Sequence, residues 1–161
     1  MNREERRGFV AQHRTAIFGY NRRQDGPAMT VVYYVVDGDD ILVSTMSARA
    51  KAKAVKRNQK VSLCVLDEQW PLTYLQVYCD AKVETDHDAN VDLGMRIAGV
   101  MAGAPMPDEV RPMIADGVRR EGRVVLRLTP YVTFETPPRH VYSADDVNEK
   151  LTHELGTSLP W

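Results

Sequence analysis

An apolar strand that runs straight into a basic helix without a single acid is the feature that most constrains this chain. No acidic residue occurs between Asp40 and Asp67. Within that gap Ile41 to Thr45 reads as a strand, and Ser44, Thr45 and Ser47 supply hydroxyls. A short alanine-rich helix is expected roughly from Ala48 to Asn58. Of the 21 Lys and Arg residues, six lie between Arg49 and Lys60, and the remaining 15 face 22 Asp and Glu. The positive charge is therefore local. A general nucleic-acid or membrane-surface binder spreads its cations more widely and, for single strands, interleaves them with aromatics. One concentrated patch suits a small anion such as a phosphate.

At about 100° per residue, Arg49, Lys53, Lys56 and Arg57 cluster on one helix face. Ala48, Ala52 and Val55 form the adjacent apolar stripe, and Lys51 stands apart in the first turn. Solvated helices mix signs to form pairs four residues apart, and this one has no acid with which to do so. Its first turn exposes free N–H groups and the positive end of the dipole. An anion there gains those donors, nearby hydroxyls, and the charges of Arg49 and Lys51.

The flanking chain reads as short strands with helices inserted. A helix is expected from Asn2 to Gln12, capped by Asn2, with Phe9 and Val10 facing the core. Strands follow at Thr15 to Tyr20, Met29 to Val36, Ile41 to Thr45, Lys60 to Leu66, Thr73 to Thr85 and Arg123 to Leu128, the last extending toward Phe134. Asp25-Gly26 and Asp37-Gly38 mark tight turns between the early strands. Helices are expected from Asp88 to Met101 and from Asp108 to Arg120, broken by Gly103 to Pro107. In the first of these Val91, Met95 and Ala98 share a stripe, with Leu93, Ile97 and Val100 beside it. Six mostly antiparallel strands with inserted helices predict an α+β barrel rather than a βαβ fold. Residues 1–134 form the expected domain. Residues 135–161 form an extension, with a further helix at 144–155, that packs on the same domain or on a partner subunit.

Cys64 and Cys79 lie in strand-like runs and are expected to be buried, reduced thiols. With no apolar leader and no membrane-length apolar run, the expected location is the cytoplasm. The four histidines share no metal-ligand spacing, so no metal site is expected. No nucleophile elbow, phosphate-binding glycine loop or dinucleotide fingerprint occurs. A phosphate cradle without a catalytic set implies that a bound cofactor carries the chemistry. A flat heteroaromatic ring would lie along Ala28 to Tyr34, beside the anion.

The segments Asp25-Gly26-Pro27, Val32 to Asp39, Ser44-Thr45, Arg49-Ala50-Lys51 and Lys56-Arg57-Asn58-Gln59-Lys60-Val61-Ser62-Leu63 resemble the pyridoxamine-phosphate-oxidase-like split β-barrel superfamily, known for FMN binding. Within it the chain looks most like the actinobacterial deazaflavin-dependent reductases, which use coenzyme F420. The resemblance spans roughly Phe9 to Phe134. It implies a homodimer with two cofactor sites at the subunit interface. It places Ser44, Thr45, Arg49 and Lys51 at the cofactor phosphate, and Met29, Thr30 and Val31 near the ring. It assigns Lys53, Lys56 and Arg57 to an acidic tail such as the oligoglutamate of F420, and brings the loop carrying Trp70 from the second subunit. The implied activity is hydride transfer from reduced F420 to a conjugated organic acceptor. The alternatives are an FMN-dependent oxidoreductase and a non-catalytic cofactor-binding protein. The chain departs from the pattern at Val31, where many relatives carry proline, near Cys79-Asp80, in the 103–107 insert, and in the tail, which is expected either to cover the substrate pocket, on its own or the partner subunit, with Trp161 as a lid, or to be a loosely packed terminus.

Overall fold

The computed structural model describes residues 1–136 and 155–161. The predicted helix at 144–155 lies almost wholly outside them. Helix α1 (Arg3–Gln12) opens the chain. Asn2 and Glu5 form a reciprocal capping box: Asn2 Oδ1 accepts from the Glu5 N–H at 2.9 Å, and Glu5 Oε2 accepts from the Asn2 N–H at 2.6 Å. Strands β1 (Thr15–Tyr20) and β2 (Ala28–Tyr33) form the hairpin that Asp25-Gly26 predicts. Then come β3 (Val35–Asp37), β4 (Asp40–Met46), α2 (Ala50–Arg57), β5 (Lys60–Asp67) and β6 (Thr73–Glu84). Helices α3 (His87–Ala102) and α4 (Arg111–Glu121) precede β7 (Arg123–Glu135), and β8 (Thr157–Pro160) ends the sheet.

The strand order is β2-β1-β5-β6-β7-β4-β3, every neighbouring pair is antiparallel, and β8 adds to β7. The two outermost strands, β2 and β3, are consecutive in the chain and separated only by Tyr34. A sheet whose first and last strands are joined by one residue has to curl on itself, and this one closes into a split barrel with flanking helices. Its interior is a single apolar cluster containing Phe18, Ile41, Val43, Leu63, Val65, Leu75, Val77, Leu126 and Leu128, all inaccessible to solvent. A second, smaller layer packs Leu93, Ile97 and Val100 of α3 against Val35, Leu42 and Val125 on the outside of the sheet. Of the two expected stripes on this helix, the second therefore provides most of the packing.

The sequence predicts one continuous strand from Met29 to Val36, and the structure divides it. Alternation holds through Val32 and Tyr33, but Tyr34 and Val35 are both buried, so the chain leaves one sheet edge and joins the other at this point. Tyr34 fixes the switch: its hydroxyl donates to the Val10 carbonyl at 2.6 Å from a side chain only 2 % exposed. Burial pushes its phenol well above the ordinary tyrosine range.

The described end of the tail packs on the sheet of its own chain. Residues 157–160 add a strand to the part of β7 that β4 does not reach. The Trp161 indole N–H donates to the Asp39 carbonyl at 3.2 Å, and the Arg7 guanidinium lies 5.1 Å from its ring centroid. Buried Arg6 donates to the Pro160 carbonyl at 2.6 Å. The free edge of β7 thus takes up the end of the chain, and Trp161 is held between Arg7 of α1 and the Asp39 carbonyl of the β3–β4 turn. Cys79 is buried as expected, whereas Cys64 is only partly covered.

Replacing Tyr34 by Phe removes the hydroxyl and leaves the buried Val10 carbonyl without its partner. Urea unfolding is expected to show a loss of about 1–3 kcal/mol, with no change in secondary structure by circular dichroism.

Candidate cofactor site

Strand β4 carries the chain to the site. Its alternation puts Ile41, Val43 and Thr45 inside the barrel and Leu42, Ser44 and Met46 on the α3 side. The two predicted hydroxyls therefore diverge. Thr45 is buried, while Ser44 Oγ accepts from Arg123 Nη1 at 3.2 Å. Arg123 in turn donates from Nε to Glu121 at 2.6 Å. Ser44 is thus already engaged by a cation that the sequence reading does not include. The signal for it lies in long-range pairing, because Met46 stands opposite Arg123 only once β4 and β7 are aligned.

A turn then sets the start of α2. The Ser47 N–H donates to the Gly122 carbonyl at 2.9 Å, and the Arg49 N–H donates to the Met46 carbonyl at 3.0 Å. Gly122 has φ 58°, and a Cβ there would lie 3.4 Å from Ser47 Oγ, so glycine suits this contact. Arg49 is the N-cap residue and caps with no side-chain hydrogen bond, and the first turn holds no acid. Its donors and dipole are left for an outside anion. Ala48 is exposed in the turn rather than part of the apolar stripe, because the helix begins only at Ala50. Ala52, Ala54 and Val55 form the buried face.

Lys51 leans toward the barrel. It is partly buried, with Nζ 5.7 Å from the centroid of the Phe18 ring. Burial lowers its pKa, and the neighbouring charge of Arg49 lowers it further. Phe18 pairs across the ladder with Thr30 of β2, whose Oγ1 is buried without a hydrogen-bond partner among the described residues. Lys51, Phe18 and Thr30 thus meet at one region of the barrel. Met29 and Val31 point the other way, 71 % and 72 % exposed. With Ile17 and Tyr33 they leave an apolar face on the outside of β1 and β2, beside a cavity of about 310 Å³ lined also by Cys64, Tyr78 and Tyr131.

The remaining cations take different roles. Lys53 and Lys56 are exposed and form no ion pair among the described residues. Arg57 donates to the Asn21 carbonyl at 2.8 Å and so ties α2 to the end of β1. Lys60 pairs with Asp80 at 2.6 Å. Trp70 lies in the β5–β6 loop, beyond the Asp67–Thr73 pair, at the opposite end of the β1–β5 ladder from the Arg57–Asn21 contact.

This donor set fits a phosphorylated ring cofactor. The start of α2, uncapped and acid-free with two cations beside it, has the donors that a phosphate requires, and the outer face of β1 and β2 presents exposed apolar side chains. The family model for pyridoxamine 5'-phosphate oxidase matches residues 3–136. The chain belongs to that family of flavin-binding oxidoreductases. No curated protein sequence matches it. Among solved structures, a conserved hypothetical protein of Mycobacterium tuberculosis is similar at TM-score 0.73 and 22 % identity, over 89 % of this chain and 94 % of that one. An F420 reductase is similar at TM-score 0.62 and 16 % identity, over 78 % and 93 %. A heme storage protein of Vibrio cholerae is similar at 0.58 and 16 %, over 80 % and 89 %. At these identities the likenesses speak for the fold alone. No helix among the described residues is long and apolar enough to cross a membrane.

Because Lys51 is a partly desolvated cation, its folded-state pKa lies below its unfolded one. Between the two values the unfolded chain binds more protons, so stability rises with pH. The buried Tyr34 and Cys79 keep their protons in the folded chain and act in the opposite direction at alkaline pH, so the Lys51 contribution is read as a difference between two proteins. Lys51→Met is expected to be the more stable protein at neutral pH, and urea titrations at increasing alkaline pH are expected to show its advantage over the wild type shrinking.

Proposed function

We propose that the protein is an F420-dependent reductase that passes a hydride to a conjugated organic acceptor. The observation that carries this reading is the uncapped, acid-free start of α2, with Arg49 and Lys51 beside it. Reduced F420 supplies the hydride when bound. Arg49, Lys51 and the first-turn N–H groups hold its phosphate. Met29 and Val31 cover the ring and keep water from it.

The choice of F420 over FMN rests on Lys53 and Lys56. Neither has a carboxylate partner among the described residues, and the single phosphate of FMN would already be served by Arg49 and Lys51. An oligoglutamate tail would use both lysines. Arg57 supports the tail less, because its guanidinium already holds the Asn21 carbonyl.

The exposed Met29, Val31 and Ile17 suit burial against a second copy of the chain. In a homodimer the partner subunit's Trp70 could approach a ring that Trp70 of the same chain, at the far end of the ladder, does not flank.

Titration with F420 and with FMN tests the cofactor, and F420 is expected to bind at least about tenfold more tightly, as an extra charge-assisted contact provides. The reverse order would establish the FMN reading. Arg49→Ala and Lys51→Ala are each expected to weaken F420 binding by about 1–3 kcal/mol. Lys53→Ala with Lys56→Ala should weaken F420 while leaving FMN unchanged. If F420 binds but no acceptor in a broad panel oxidises its reduced form, the protein is a cofactor carrier instead. Separately, Val31→Glu is expected to convert a dimer to a monomer in sedimentation velocity, since a charge at the centre of an apolar interface lacks a partner.

A further inference from the structure

A second and larger cleft, of about 960 Å³, lies on another part of the molecule. It opens between the end of α1, strand β3, helix α3 and the 103–111 segment, and none of its lining residues belongs to α2. Its apolar wall combines Val36 and Val100, which pack on the two core layers, with Met95 and Met106. The 103–107 insert forms one side. It folds back on α3 because Gly99 has no Cβ: one placed there would lie 3.1 Å from the Ala104 carbonyl oxygen.

Three guanidinium-bearing residues reach this cleft from three different elements: Arg14, Arg96 and Arg111. Two are already committed. Arg96 pairs with Asp37 at 2.9 Å and donates to the Val36 carbonyl at 2.6 Å. Arg111 pairs with Asp92, and the nearby Asp108 strengthens its charge. Arg14 has no ion pair among the described residues, although its own carbonyl accepts from the Tyr34 N–H at 3.4 Å. At the same end, the His13 ring packs at a tilt of 40° against Phe9, with centroids 4.3 Å apart, and donates from Nδ1 to the Phe9 carbonyl. The cleft thus joins an apolar wall to a polar lining that also includes Gln12, Asp92 and Asp108, and Arg14, exposed, is its cation without an ion pair among the described residues.

From this geometry we infer that the cleft binds an amphipathic organic carboxylate, separate from the cofactor site. Its apolar body lies along Met95, Val100 and Met106, and its carboxylate pairs with Arg14. A guanidinium holds a carboxylate through two parallel hydrogen bonds, which fixes the orientation of the ligand. An apolar trough with few polar groups is the usual form of a small-molecule site. The inference does not depend on which cofactor α2 binds.

Calorimetry on the full chain with 4-phenylbutyrate, and with 4-phenylbutan-1-ol as its uncharged counterpart, tests the cleft. The acid is expected to bind at least about tenfold more tightly than the alcohol. Arg14→Ala should remove that preference and Arg14→Lys should keep part of it. Met106→Trp, a change in a loop rather than in the core, should block both compounds by filling the trough. Lys51→Ala should leave both unaffected. The inference is overturned if the acid does not bind, if its binding survives Arg14→Ala and Met106→Trp unchanged, or if it is lost in Lys51→Ala, which would put it at the basic helix.

Discussion

The ladder between β4 and β7 is the constraint on which the rest of this structure depends. It runs from Ile41 opposite Leu128 to Met46 opposite Arg123, in unbroken register. The same β7 pairs with β6 on its other edge and, beyond the reach of β4, takes up β8. Because β-pairing allows no partial slip without turning every side chain to the opposite face, this register decides two things together. It places Val43 and Thr45 in the barrel, and it brings Gly122 to the point where β4 ends. The Ser47–Gly122 hydrogen bond then sets the direction in which α2 departs. The helix start, and with it Arg49 and Lys51, is positioned by a strand far away in sequence.

A charge cluster near the other end of β4 holds the ladder. Arg127 contacts Asp37 at 3.0 Å, Asp40 at 3.1 Å and Glu84 at 3.0 Å, and thereby joins the β3–β4 hairpin to β6 and β7. Arg127 and Arg96 hold the Asp37 carboxyl below the usual range. The acids that α2 lacks are found here, in mutual compensation with arginines. The contrast gives the acid-free helix its meaning. Around Arg127 the charges that serve the fold come in opposed pairs, whereas at α2 Arg49, Lys53 and Lys56 have no ion pair among the described residues.

Much of this was legible in the sequence. The Asp25-Gly26 hairpin, the strand running into α2, and α1 with its Asn2 cap all rest on local chemistry and are all found, with only the second strand of the hairpin ending three residues early, at Tyr33. The split barrel and the family follow from the order of those local signals. What the sequence could not show depended on distant partners. Tyr34 breaks a strand because its hydroxyl reaches Val10 and the chain changes sheet edge, and nothing in the run of β-branched residues announces that. Ser44 and Thr45 look like one hydroxyl pair until the pleat sends them to opposite faces. Arg123 sits at the start of a strand and gains its role only from register. Trp161 looks like a loose aromatic and is an anchor because β7 is longer than β4.

The same distinction bears on how the basic helix is divided. In sequence, Lys53, Lys56 and Arg57 form one rear group on one face. In three dimensions Arg57 serves the fold through the Asn21 carbonyl, and Lys51, set apart by helical position, is the cation that enters the barrel. A lysine held partly out of water beside an arginine raises the energy of the empty protein. An anion at the helix start would reverse that effect, because it supplies the countercharge that the helix lacks. Lys53 and Lys56 are exposed on the helix surface, so the case for a phosphate at α2 stands on firmer physical ground than the case for the tail that would distinguish F420 from FMN.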